Sequence, residues 1–241
     1  MKRAVVLLVA AFTVTGCEST QSTSKRLAKS GKTALKEQAG LKVGAQNPDI
    51  KITQTAVLKD ANGIAAVVAL KNTSPRSQTQ LPVGITIKDA KGAKIYANDV
   101  PGLDASLTSM ALVPSGVEAF WVDNQILGNG APKRVDVKVG RAKGPAPSAI
   151  PQIRLTKVHF DKDVSGPFVA GVITNRSKVL QRRLTVFCVA RKGGKIVAAG
   201  RAVVEKLAPA PTPKPIRFSI YFIGNPTGAK LSFSVPPVNL G

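Results

Sequence analysis

At 241 residues, with 44% hydrophobic and 20% charged side chains, the chain has enough apolar material for a packed core, which excludes a solvated tail as its main character. Its net charge is +22, and two cysteines and one histidine rule out a disulfide scaffold and leave little material for a zinc site.

The amino end reads as a targeting segment. Lys2 and Arg3 precede an apolar run from Ala4 to about Val14, and Val14-Thr15-Gly16-Cys17 follows. A positive start, a short apolar stretch and small residues before a cut site describe a secretory signal peptide over 1–16. The run is well short of the roughly 20 apolar residues of a membrane-spanning helix. Its last four residues resemble the lipobox of bacterial lipoproteins. That resemblance implies lipid attachment to the Cys17 sulfur, cleavage before it and acylation of the new amino terminus. Two or more acyl chains hold stably, since each buried methylene contributes about 0.8 kcal/mol. The expected location is therefore the extracytoplasmic side of an envelope membrane, and Glu18 in place of an aspartate supplies no inner-membrane retention signal.

Residues 17–49 read as a flexible basic tether, rich in Ser, Thr, Lys, Gly and Gln. As a coil, the 29 residues from 18 to 46 would span about 30 Å.

Beyond it the chain is written twice. IKIT (50–53) and, after a polar turn, AAVVALKNTS (65–74) are echoed 103 residues later by IRLT (153–156) and FVAGVITNRS (168–177). VGITIKDAKGAKI matches LTVFCVARKGGKI, and LVPSGVEAF matches LAPAPTPKPIRF. Period-two patterns predict strands: Val83, Ile85 and Ile87 share one face, as do Phe218, Ile220 and Phe222, and Leu231, Phe233 and Val235. Asp89-Ala90-Lys91-Gly92 and Arg191-Lys192-Gly193-Gly194 predict tight turns. The expected architecture is all-β: two tandem immunoglobulin-like β-sandwich domains of about seven short strands, over 50–140 and 153–241. A Pro-rich linker over 141–152 should act as a stiff spacer between them.

Each unit resembles the FxLYD-type and related immunoglobulin-like domains of bacterial envelope proteins. The residues that carry this are Gly171 and Asn175 in VAGVITNRS, the strand LTVFCVARKGGKIV and the stretch ahead of Phe218. In the first unit they are VALKNTS, GITIKDAKGAKI and Pro114, Gly116 and Phe120 of LVPSGVEAF. Ser115 interrupts the Pro-Gly pair, and no literal FxLYD string occurs. The resemblance implies surface display and binding, with no catalytic residues to carry over.

The residues point the same way. His159 lies two positions from Asp161 with no Gly-x-Ser-x-Gly elbow or other marked nucleophile, so no catalytic set is expected. No clustered ligand set suggests a metal, and no motif suggests a cofactor. Cys188, in LTVFCVA, reads as a small buried hydrophobe sharing a face with Leu184, Val186 and Ala190. Asn72-Thr73-Ser74 and Asn175-Arg176-Ser177 fit a glycan acceptor pattern, but an Asx turn explains both more simply.

Charge is the most informative feature. Residues 50–140 hold ten basic and seven acidic residues, whereas 153–241 hold fifteen and three. Arg176, Lys178, Arg182, Arg183, Arg191, Lys192, Lys195 and Arg201 are the expected anion-binding row on the second unit. Outside the cytoplasm its partner would be anionic lipid, a phosphate-rich wall polymer or extracellular DNA. Sequence-specific nucleic acid is not expected, because the aromatic residues are patterned for the core. The alternative is a structural subunit that pairs with another envelope protein and binds no polyanion.

Overall fold

The computed structural model describes residues 40–128 and 130–241. Cys17, the signal segment and most of the tether lie outside the described residues.

The first repeat contains β1 (Ile50–Asp60), β2 (Gly63–Asn72), β3 (Gln78–Lys88), β4 (Lys94–Ala97), β5 (Ser109–Val113), β6 (Glu118–Ile126) and β7 (Arg134–Val139). The second contains β8 (Ile153–Asp163), β9 (Gly166–Asn175), β10 (Gln181–Lys192), β11 (Lys195–Leu207), β12 (Ile216–Tyr221), β13 (Ile223–Gly224) and β14 (Lys230–Ser234). Every strand pairing is antiparallel. The all-β class is thus what the alternating patterns predict, and no described helix is long and apolar enough to cross a membrane.

Each repeat is a two-sheet sandwich. In the first, β1-β2-β6 faces a sheet in which β3 carries β4 and β5 in succession and also pairs with β7. In the second, β8-β9-β12 faces β13-β11-β10-β14. The 103-residue offset holds for the first strands: β1 maps onto β8 and β2 onto β9, end to end. Gly171 earns its place locally, because a Cβ there would lie 2.8 Å from the Phe218 ring packed over it.

The two sandwiches share a core. Phe187, Val189, Ile196 and Ala199 of the second repeat cluster with Val67, Ala69, Phe120 and Val122 of the first, so β1-β2-β6 packs against β10-β11. Four sheets stack in all, and the described residues belong to one compact unit. Burial follows that stacking. All of Ile64–Leu70 in β2 and all of Leu184–Ala190 in β10 are buried, as strands covered on both faces must be. The outer strand β9 instead alternates along its length. Leu184, Val186, Cys188 and Ala190 do share one face, as expected, and form the second repeat's own core with Val169, Ile173, Phe218 and Ile220.

Two expectations about the connecting segments change. The linker does not hold the halves apart: Thr79 bridges Gly144 and its hydroxyl donates to the Pro145 carbonyl at 2.9 Å, so the segment runs along the first repeat. A proline-rich chain is stiff, but its free carbonyls still accept hydrogen bonds from a neighbouring strand. The end of the tether is docked as well. Val43 lies on Gly84, where a Cβ would come within 2.7 Å of it, and the Gln46 side chain accepts from the Val139 amide at 3.0 Å.

The repeats differ most at one place. In the second, β11 runs unbroken beside β10, and three residues separate Ala199 from Val203. In the first, eleven residues (98–108) stand between Ala97 and Ser109, the equivalent positions, and they fold into an insert with a 3₁₀ turn, Ala105–Leu107. Asp104 caps that turn by accepting from the Ser106 amide. This insert supplies much of the polar contact with the second repeat.

Candidate site at the junction of the repeats

The eight cations predicted to form a row divide into two groups. Arg191 and Arg201 are partly buried and do not join a solvent-facing row, because the first repeat occupies them, while Arg183 stays exposed but is paired with acids. Arg183 bonds Asp104 of the insert and reaches Glu205 at 3.2 Å. Arg191 pairs with Glu118 at 3.0 Å and lies 4.7 Å from the centre of the Phe120 ring, a cation–π contact across the junction. Arg201 donates to the Ser106 hydroxyl and, at 3.2 Å, to the Gln125 carbonyl oxygen. For Arg191 and Arg201 the reason is desolvation: a charge brought to a partly buried junction needs polar partners there. Backbone contacts complete the seam, with the Phe120 amide donating to Ser234 at 2.8 Å and the Gly224 amide to Asp60 at 2.8 Å.

Arg176, Lys178, Arg182, Lys192 and Lys195 are exposed, and none has a carboxylate partner among the described residues. Lys192 and Lys195 close the β10–β11 turn at one end, where Gly193 and Gly194 both take positive φ as the turn pattern predicts. Arg182 sits at the other end, directly across from exposed Lys206. Like charges in register on neighbouring strands repel, so this pair is a standing attraction for an anion.

The acids at the seam record their surroundings. Burial alone would raise the Asp104 carboxyl, but hydrogen bonds from Ser106 and Arg183 outweigh it and bring it down to about 2. Burial likewise opposes Glu118, while Arg191 and Thr53 hold it below its ordinary value. A carboxyl with a depressed folded pKa contributes stability above its unfolded value, near pH 3.9 for Asp, and loses it as pH falls through the folded value. The unfolding temperature is therefore expected to fall between about pH 4 and pH 2, and Asp104→Asn should flatten that fall. Thermal melts of both proteins across pH 2–7 check this; equal acid slopes would remove Asp104 from the account. Asp123 acts in the opposite sense, since burial raises it despite bonds from the Gln125 amide and the Tyr96 hydroxyl.

A cleft of about 970 Å³ opens beside this seam. Its walls come from the insert, β3, β5, the linker, β10 and the segment after β14. Arg182 and Arg183 both line it, although neighbours on a strand normally face opposite ways. Arg183 has φ of 50°, a left-handed backbone that breaks the alternation there. Gln80, its equivalent in the first repeat, has the same φ and lines the same cleft. Thr185 also lines it. Thr185 is 2% exposed, and its hydroxyl has no hydrogen-bond partner among the described residues. A second cleft of about 920 Å³ on the seam contains Arg154, Arg176 and Glu118.

The remaining candidates resolve locally. His159 is exposed, with Nδ1 2.9 Å from the Lys157 carbonyl oxygen. Cys188 is fully buried, and burial pushes its thiol up to about 12. Among the described residues no group of three His, Cys, Asp or Glu side chains is placed to hold a metal. Asn72 and Asn175 both form Asx turns. Their Oδ1 atoms accept from the Ser74 amide at 3.0 Å and the Ser177 amide at 2.9 Å, and both side chains are fully buried. Sequence reasoning missed Asp104 of the insert and Glu118 of β6 as partners of the arginines, and Thr185 as a cleft residue. The contiguous apolar run LTVFCVA was the one signal that both faces of β10 are covered.

No family model matches the chain, and no curated protein matches it either.

Proposed function

We propose that the protein is a non-catalytic lipoprotein of the bacterial cell envelope, anchored by lipid on Cys17, whose fused β-sheet block binds an anionic envelope partner such as anionic lipid or a wall polymer. The observation that carries the reading is the uncompensated charge of the second repeat. Arg176, Lys178, Arg182, Lys192 and Lys195 stay exposed without carboxylate partners among the described residues, while Asp104, Glu118 and Glu205 are engaged by Arg183 and Arg191. The lipobox-like Val14-Thr15-Gly16-Cys17 and the likeness to FxLYD-type envelope domains support the location and the display role. Nucleic acid fits less well: among the described residues of the second repeat Phe218 and Phe222 are buried, and the exposed aromatic rings are Phe160 and Tyr221, the latter packed on Phe168 at 5.1 Å.

The test has two parts. Cys17→Ser should move the protein from the membrane fraction to the soluble one, and continued membrane residence would refute the anchor. Retention on vesicles containing phosphatidylglycerol should fall as salt rises from about 0.05 to 0.5 M, and fall further in Arg182→Ser/Lys206→Ser. Salt-independent retention would favour a second reading, an accessory subunit held by another envelope protein. One feature supports that second reading: β8 is an edge strand with Val158 and Phe160 exposed, and Val164 is exposed in the turn that follows it.

A further inference from the structure

We infer that the cleft between the insert, the linker and β10 binds a single-chain anionic amphiphile, an unbranched aliphatic chain ending in a carboxylate or phosphate. This goes beyond the envelope reading, since it requires neither lipid on Cys17 nor a polymeric partner.

Three features of the cleft select that chemistry. Its volume of about 970 Å³ is at the upper end of the range of small-ligand sites. Its apolar walls are aliphatic, built from Pro82, Ala111, Pro145, Pro147 and Leu240, with Phe187 as the only aromatic ring. Such walls suit a flexible chain and offer no stacking pair for a planar ring. Cationic side chains line it: Arg182, paired across the strands with Lys206 outside the lining, and exposed Lys143 have no carboxylate partner among the described residues. Arg183 is neutralised by Asp104 and Glu205, which leaves Arg182 to meet a ligand's charge.

The Thr185 hydroxyl supplies the fourth, independent feature. It lies on the face of β10 that carries Phe187, toward the first repeat, and is buried without a partner. A buried hydroxyl left unpaired is destabilising, and folded proteins retain few of them. A headgroup oxygen accepting from Thr185 would satisfy it. Thr185 and Arg182 are three residues apart, about 10 Å along the strand, a span that an arginine side chain and one headgroup cover together. The aliphatic tail then runs over Phe187 and under the linker prolines.

The molecule carries its own reporter. The sole tryptophan, Trp121, donates its indole N–H at 2.8 Å to the Ser106 carbonyl, and Ser106 lines the cleft. The experiment uses the full chain with Cys17→Ser, titrated with sodium laurate below its micelle concentration while tryptophan emission is followed. Emission should change saturably at one laurate per chain, with dodecyl phosphate behaving alike. Neutral dodecanol and the Arg182→Ser variant should each bind about tenfold more weakly. Thr185→Val should bind laurate about fivefold more weakly, yet melt about 2–4 °C higher without ligand, because the orphaned hydroxyl is gone. Non-saturable laurate binding, dodecanol binding as tight as laurate, or a Thr185→Val variant that melts lower would each overturn the inference. Saturable binding of inorganic phosphate alone would replace it with a simple anion site. Membrane fractionation of the unmodified chain is read separately, so failure here leaves the envelope reading standing and the reverse also holds.

Discussion

Phe187→Ala is expected to destabilise the whole block by about 3–5 kcal/mol and lower its melting temperature by roughly 10 °C, in one transition. Phe187 is 1% exposed and belongs to the cluster that joins the repeats, alongside Val67, Ala69 and Phe120. Removing its ring opens a cavity at the seam, where β10 and β6 are each held by sheet neighbours and cannot move in to fill it. Because both sandwiches contribute to that cluster, neither can lose it alone. Calorimetry of the parent and the variant measures the effect. Two separate transitions, with only the second moving, would mean that the halves fold independently and that the shared cluster is incidental.

Replacing either buried asparagine should be nearly as costly. Asn72 Nδ2 donates to the Arg76 and Val113 carbonyls at 2.8 and 3.0 Å, while its Oδ1 accepts from Ser74. Asn175 repeats the pattern with Val179, Leu207 and Ser177 at 2.8, 3.4 and 2.9 Å. Each side chain ties the turn after one sheet to a strand of the opposing sheet, and each is fully buried. Ala at either position would strand buried backbone groups and cost about 3 kcal/mol. Asp should be no better than Ala, since a carboxylate accepts from the serine but cannot donate to two carbonyls. Urea midpoints of the Ala and Asp variants decide this; an Asn175→Asp protein of parental stability would show that the donated bonds contribute little.

These sites show what was legible in advance and why. The Asn-x-Ser turns were readable because an Asx turn closes within three residues, and both form as expected. The glycine turns were readable for the same reason, and Gly92, Gly193 and Gly194 all take positive φ. The strands β9 and β12 alternate cleanly because each has one core face. The anion row was readable only in part. Counting cations on the second repeat says nothing about which will meet an acid: Arg183 and Arg191 found theirs 79 and 73 residues away, whereas Arg201 found a serine hydroxyl 95 residues away.

Local chemistry therefore settled the all-β class, the twofold repeat with its 103-residue offset, the turns and the burial of Cys188, because each depends on residues close together in the chain or on a period of two. Tertiary packing alone decided that the two sandwiches fuse into a four-layer stack, that the linker and the end of the tether lie against the first repeat, and that a cleft forms where the insert meets β10. Whether an apolar strand face meets water, its own sandwich or the neighbouring repeat is a question of which surfaces fit. The pattern records only that the face must be covered.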